Sequence, residues 1–253
     1  MYHEVDSDFP NGIPNPYLEE NRPATTQFIN DTKSDFGIAF DGDFDRCFFF
    51  DEKGSFVNGE YIIGILAEMF LKNQPLSKIV HDTRSVWNVS DVILQNSGIA
   101  VQSKTGHAFI KQKMRSSDAV YGGEISAHHY FKDFAFCDSG MIPWMLMLQL
   151  LSVTNQSLLE KVRSRRNLFP SSGELNFSVE KPKKALNLIE EFYSQNCEHC
   201  EKIDGISMIF KEWRFNLRLS NTEQLVRLNV EGIKNEQLVS EKVSEIKHIL
   251  CSM

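Results

Sequence analysis

Gly37-Ile38-Ala39-Phe40-Asp41-Gly42-Asp43-Phe44-Asp45-Arg46-Cys47-Phe48-Phe49-Phe50 places three carboxylates at alternate positions between two short apolar runs. Four-residue apolar runs, bounded by a Gly-bent polar turn, read as buried strands rather than helices. The acidic turn therefore sits at a strand end. Oxygen donors with no His or Cys within the turn favour a hard divalent cation, and Mg2+ keeps positions open for water and phosphate oxygens. Asp41, Asp43 and Asp45 are the candidate ligands, and a phosphorylated substrate is implied. Asp41, Asp43, Asp45 and Glu52 also fall at positions one, three, five and twelve of an EF-hand loop. That match fails, because Arg46 stands where the loop needs Gly and a Phe-rich strand where it needs a helix. A merely solvated acidic turn would leave three close carboxylates repelling one another.

The chain has 253 residues, 42% of them hydrophobic, enough for one large or two modest domains. Its formal net charge of -7 argues against nucleic acid as the main partner, since backbone-phosphate contacts need a basic face. No apolar stretch reaches membrane-spanning length, so no membrane partner is expected. Met1-Tyr2-His3-Glu4-Val5-Asp6 lacks the basic and apolar parts of a signal peptide, which makes the cytoplasm the expected location. Five scattered cysteines fit reduced thiols. A lone C-x-x-C, Cys197-Glu198-His199-Cys200, is weak ground for zinc or redox chemistry and reads as a solvated helix end.

Residues 1–35 contain Pro10, Pro14, Pro16 and Pro23, which break helices, and read as a connecting segment. Strand and helix patterns then alternate. After the start signals Asn58 and Gly59, a helix over 61–71 gathers Ile62, Ile63, Leu66, Met69 and Phe70 on one face. Strands are expected at 78–81 and 99–102, helices at 85–95 and after Gly106, and a strand at 119–121 leading into a Gly122-Gly123 turn. Segment 141–151 reads as a largely buried helix. This alternation predicts an α/β domain with a mainly parallel sheet. Loop residues at 167–173 mark a boundary. Beyond it a strand (175–179), a helix (184–194), three strands (205–210, 214–218, 225–230) and a last helix (236–250) predict a smaller α+β domain.

Four further groupings carry chemistry. Lys104-Thr105-Gly106-His107 opens a helix after a strand, so its backbone favours an anion and His107 could move a proton. Asp82-Thr83-Arg84 ends a strand with a permanent cation. In Gly123-Glu124-Ile125-Ser126-Ala127-His128, strand alternation would put Glu124, Ser126 and His128 on one side, a row suited to sugar hydroxyls; a solvated edge strand is the plainer alternative. Arg218-Leu219-Ser220-Asn221-Thr222-Glu223 offers a cation, two hydroxyls and an amide, either a phosphate cradle or an ordinary hairpin turn.

With Phe9-Pro10-Asn11-Gly12-Ile13-Pro14-Asn15-Pro16, and in this order, these segments resemble the α-D-phosphohexomutase superfamily, in its bacterial phosphomannomutase branch. Members are four-domain enzymes that move phosphate between the 6- and 1-positions of a hexose, through a phosphoserine and a bisphosphorylated sugar. The resemblance implies Mg2+ on Asp41, Asp43 and Asp45 with Arg46 beside it, and help in proton transfer from Arg84 and His107. It further implies a sugar site of Glu124, Ser126 and His128 with Lys104, and a phosphate grip by Arg218, Ser220, Asn221 and Thr222. The implied substrate pair is mannose 6-phosphate and mannose 1-phosphate, ahead of GDP-mannose synthesis. Residues 1–55 are expected to end the second family domain, 56–166 to form the third, a mixed sheet flanked by helices, and 167–253 the fourth, small and α+β.

Three departures accompany the resemblance. Phe44 stands where the family often has Gly, and Gln224 where it usually has Pro, which is expected to loosen the phosphate loop. No serine loop of the Thr-x-Ser-His-Asn-Pro type occurs in the 253 residues. The chain alone is therefore expected to lack mutase activity. It would be a fragment, one part completed by a separate N-terminal chain, or a non-catalytic module that binds hexose phosphate and Mg2+. A cut second domain is expected to expose a strand edge and apolar surface.

Overall fold

Pro23 starts a helix instead of breaking one in the computed structural model, which describes Met1, Glu4, residues 8–220 and residues 223–251. Proline in the first turn of α1 (Pro23–Thr32) gives up an N–H that has no intrahelical partner anyway, and its φ is already helical. Residues 1–35 are thus not simply a linker. Ile29 of α1 packs with Phe48 and Phe50 beneath an antiparallel sheet of β1 (Gly37–Phe40), β2 (Cys47–Phe50) and β3 (Phe56–Val57). All four residues of β2 are buried, alternating between two cores: Phe48 and Phe50 join Ile29, while Cys47 and Phe49 join the central cluster. Each such Phe contributes roughly 2 kcal/mol by leaving water. The pairing of Phe40 with Cys47 leaves residues 41–46 as the acidic turn.

Helix α2 (Gly59–Asn73) buries Tyr61, Ile62, Ile63, Ile65 and Leu66 at the centre of the molecule. Its first residue presses on the backbone of Ile125: a Cβ on Gly59 would lie 2.3 Å from the Ile125 carbonyl oxygen. Glycine is what lets the helix approach so closely. The second sheet runs β5-β4-β6-β7-β8, built from β4 (Lys78–Asp82), β5 (Ile99–Ser103), β6 (Tyr121–Gly123), β7 (His129–Phe131) and β8 (Cys137–Asp138). Helices α3 (Trp87–Gln95) and α4 (His107–Ser117) make its crossovers. β4 is parallel to β5 and β6, but β6, β7 and β8 are antiparallel, so the sheet is mixed rather than mainly parallel.

Gly122 and Gly123 lie within β6 and not in a turn. Met114 and Ile63 crowd them so tightly that added Cβ atoms would meet Met114 Sδ at 2.7 Å and Ile63 Cγ1 at 2.6 Å. The turn follows at 124–128, closed by Ala127 N–H to Glu124 O and Glu124 N–H to His128 O, with Ala127 at φ +73°. Helix α5 (Met141–Thr154) also departs from expectation. Only Pro143 and Met147 are fully buried, while Met145 (47% exposed), Leu148 and Val153 (76%) face outward. It packs against α2 and β2 on one side alone. Helix α6 (Leu158–Leu168) follows, opened by a capping box between Ser157 and Glu160.

The C-terminal layer is an antiparallel sheet in the order β10-β11-β12-β13-β9, from β9 (Ser171–Ser178), β10 (His199–Glu201), β11 (Ile206–Ile209), β12 (Trp213–Leu219) and β13 (Leu225–Gly232). Helices α7 (Pro182–Ser194) and α8 (Glu236–Cys251) set Ala185, Ile189, Val239, Ile246 and Leu250 against Phe215, Leu217, Leu228 and Val230. This is the α+β unit the sequence predicts. Cys197 lies just ahead of edge strand β10 and Cys200 within it, so they do not form a helix end. Among the described residues no helix is long and apolar enough to cross a membrane.

Candidate metal and sugar-phosphate site

The β1–β2 connection brings one carboxylate oxygen from each of Asp41, Asp43 and Asp45 within 4.8 Å of the other two. Asp41 is buried, and Arg46 holds it, donating from its backbone N–H to Oδ1 at 3.1 Å and from Nε–H to Oδ2 at 2.6 Å. Burial pushes the Asp41 carboxyl up, but the Arg46 contacts outweigh it and leave the group below its usual range. Asp45 tips the other way: burial raises it, and the Asp41 and Asp43 charges add to that against the pull of His128. Three crowded oxygen donors, one of them resisting ionisation, fit a hard divalent cation that would relieve the repulsion. Phe44 turns the corner at φ +62°, a left-handed conformation that costs a non-glycine residue roughly 1–2 kcal/mol. Its ring leans on Phe40, centroids 5.6 Å apart.

The acidic turn abuts the turn at 124–128, through a backbone bridge between Arg46 and His128 and a 3.5 Å approach of His128 Nε2 to Asp45 Oδ2. Glu124, Ser126 and His128 converge as expected, but through this turn and not through strand alternation. Ser126 Oγ lies 3.2 Å from His128 Nδ1, which is 3.7 Å from Glu124 Oε2. Buried Glu124 accepts from Gly106 N–H at 2.7 Å and from the Tyr130 hydroxyl at 2.6 Å. It thereby fixes the start of α4, where His107 is exposed, with Lys104 also exposed just ahead of it and 5.8 Å from the Phe109 ring centroid.

Arg84 is fully buried at the end of β4. Its Nε and Nη2 donate to Asp82 Oδ2 at 3.1 and 2.7 Å, Nη2 reaches Ser126 Oγ at 3.3 Å, and Nη1 donates to Glu174 Oε2 at 3.2 Å. Burial opposes the charge, but Asp82, Glu174 and Glu124 overcome it and strengthen the guanidinium's hold on its proton. Arg84 can therefore act as a fixed cation and not as a proton donor.

Arg218 on β12 and Arg227 on β13 are direct cross-strand partners, an arrangement that is unfavourable for like charges unless something neutralises them. Glu174 of β9 does so, accepting from Arg218 Nη2 at 2.9 Å and Arg227 Nη1 at 3.2 Å as well as from Arg84. Burial raises the Glu174 carboxyl, and the Arg84, Arg218 and Arg227 charges pull it down to about 2. The sequence reading missed Glu174 and Arg227. Their meeting depends on strand register, which no local pattern announces.

Ser220 closes the hairpin between β12 and β13, donating from N–H to Leu225 O at 3.0 Å and accepting from Glu223 N–H at 3.2 Å through Oγ. Asn221 and Thr222 lie outside the described residues. Gln224 ties the loop down, since its side chain donates to Glu180 O at 2.7 Å, which offsets the expected loosening. An open groove of about 650 Å³ runs beside the loop, lined by Lys181, Lys183, Lys184, Leu219, Ser220 and Gln224. Contacts thus run without a break from Asp45 through His128, Ser126, Arg84 and Glu174 to Arg218. Lys104 and His107 stand at the α4 start, joined to this chain through Gly106 and Glu124.

Comparison with known proteins accords with this geometry. Residues 1–54 match phosphoglucomutase/phosphomannomutase alpha/beta/alpha domain II, and residues 58–169 match alpha/beta/alpha domain III of the same family. The chain is similar to a phosphomannomutase of Vibrio cholerae, 53% identical over 251 residues, which is 99% of this chain and 54% of that protein. It is also similar to the crystal structure of a phosphoglucomutase/phosphomannomutase family protein from Burkholderia thailandensis, with a TM-score of 0.82 and 26% identity over 97% of this chain and 53% of that one. A structure of N-acetylphosphoglucosamine mutase from Aspergillus fumigatus, in complex with GlcNAc-6P and magnesium, shares the fold at a TM-score of 0.63 and 13% identity, covering 88% of this chain and 52% of that one. The chain belongs to the phosphoglucomutase/phosphomannomutase family. It spans about half the length of the relatives it matches.

Proposed function

We propose that this chain supplies the metal, sugar and phosphate sites for a phosphomannomutase-type reaction, the interconversion of mannose 6-phosphate and mannose 1-phosphate that feeds GDP-mannose synthesis in the cytoplasm. The observation that carries the reading is the unbroken run of contacts between the acidic turn and Arg218, which sets a cation site and an anion grip at two ends of one set of polar side chains. Asp41, Asp43 and Asp45 would hold Mg2+, which when bound neutralises charge on the transferred phosphoryl group. The Aspergillus relative holds the same two kinds of ligand, a sugar phosphate and magnesium. Residues 1–54, 58–169 and the C-terminal layer correspond, in this reading, to the second, third and fourth domains.

Arg84 stabilises the reacting hydroxyl as it loses its proton, and His107, exposed at the α4 start, takes that proton. Glu124, Ser126 and His128 read the sugar hydroxyls, with Lys104 at the rim. Arg218 grips the non-reacting phosphate in bidentate fashion beside Ser220, Asn221 and Thr222. Phosphoryl transfer also needs a nucleophile. The sequence holds no Thr-x-Ser-His-Asn-Pro loop, so the serine comes from polypeptide beyond these residues, and the 253 residues alone bind without turnover.

Calorimetric titration of mannose 6-phosphate in Mg2+ buffer tests the reading: wild-type chain gives saturable heat that Arg218→Ala abolishes. A flat wild-type titration refutes it. Conversion of mannose 1-phosphate, with a trace of bisphosphate activator, is expected only once an N-terminal mutase half is added.

A further inference from the structure

Arg84 projects from a loop whose backbone is held by the C-terminal layer. Residues 83–86 are buried, and α3, which begins at the end of this loop, has no side-chain cap of its own. The backbone donors at its start are met instead by Glu231 of β13. Glu231 Oε2 accepts from Val86 N–H at 2.8 Å, and Oε1 accepts from Trp87 N–H at 3.1 Å and from the Ser85 hydroxyl at 2.9 Å. Arg214 of β12, the cross-strand partner of Glu231 and ion-paired with it, donates to Arg84 O at 3.2 Å and Thr83 O at 3.0 Å. Both side chains are 1% exposed. Buried backbone groups have to find partners, and here one pair supplies two acceptors and two donors to a single loop.

We propose that Arg214 and Glu231 are positioning residues for Arg84: they cap α3 from the neighbouring layer and so set the backbone from which the guanidinium enters the site. The proposal rests on the functional reading above only for what Arg84 acts upon. Arg214 and Arg218 are four residues apart on β12 and so share a face of that strand. The strand that grips the phosphate therefore also holds the Arg84 loop, and a shift of the C-terminal sheet reaches Arg84 directly. Misplacement by about 1 Å is enough to cost a reaction roughly 100-fold, which gives such an anchor its value.

The test needs no ligand. In Glu231→Gln, hydrogen exchange at the Val86 and Trp87 amides is expected to quicken about tenfold, the size of a lost helix cap. The Arg84 Nε–H resonance, identified by its absence in Arg84→Lys, should shift, while the Phe215 and Leu228 amides keep their protection. Unchanged exchange at 86 and 87 with an unmoved Arg84 signal overturns the proposal. So does equal acceleration throughout the C-terminal sheet, which would give the pair a role in its own sheet alone. Should Glu231→Gln not fold, Arg214→Lys keeps the charge beside Glu231 but cannot fork onto both carbonyls. It is expected to shift the Arg84 signal, and an unmoved signal again overturns the proposal. A chain that shows these effects yet gives no heat with mannose 6-phosphate sinks the functional reading and leaves the anchor standing.

Discussion

Replacing Glu174 with Gln removes the carboxylate on which Arg84, Arg218 and Arg227 converge, without changing its volume. In the native chain burial works against that charge, yet the three guanidiniums hold its carboxyl at about 2 against an ordinary 4.5. At about 1.4 kcal/mol per tenfold change in proton affinity, the difference is worth roughly 3 kcal/mol of stability at neutral pH. A carboxyl with a depressed folded value contributes fully above its unfolded value and loses that contribution as pH falls toward the folded one. The wild-type contribution is thus complete above 4.5 and fades between 4.5 and about 2. Urea unfolding at pH 7 should show Glu174→Gln less stable by roughly 3 kcal/mol with an unchanged slope, and the gap should shrink by roughly half at pH 3. Equal midpoints at pH 7, or a gap that stays constant down to pH 3, would refute the reasoning.

Gly59→Ala places a Cβ 2.3 Å from the Ile125 carbonyl oxygen and should push α2 off the turn at 124–128, lowering stability by about 1–3 kcal/mol in thermal unfolding. Ser157→Ala breaks the α6 capping box, in which Ser157 Oγ accepts from Glu160 N–H at 3.2 Å, and should cost about 1 kcal/mol in the same measurement without altering Mg2+ binding. Asp45→Asn should weaken Mg2+ more than the roughly 10–100-fold lost when an outer-shell partner is removed, as read by calorimetry.

Where local chemistry dictated structure, the sequence was readable. The acidic turn lies between β1 and β2 because two short apolar runs pair as strands, and the periodic apolar face of α2 announced that helix. Failures came where position within an element decides the outcome. Pro23 reads as a breaker until its place in the first helical turn is known, and Gly122-Gly123 reads as a turn until Met114 and Ile63 are seen closing on it. A signal for α6 was present in Ser157-Leu158-Leu159-Glu160 and went unused. The short strands β7 and β8 owe their existence to pairing, β7 with β6 and β8 with β7, not to any pattern of their own. In the candidate site, the proximity of residues from one short segment was legible: the three aspartates, and Glu124 with Ser126 and His128. Glu174, Arg214, Arg227 and Glu231 were not, because their meaning lies in strand register and in contacts across 44 to 146 positions of sequence.

Thermal unfolding with and without Mg2+ tests the central claim, that the acidic turn is a cation site, most directly. An ion bound only by the folded chain, at 100 times its dissociation constant, stabilises it by about 2.7 kcal/mol. Wild-type chain should gain that stability in Mg2+, and a chain in which Asp41, Asp43 and Asp45 are all Asn should gain none. No shift in the wild type, or an equal shift in the triple variant, would contradict the account.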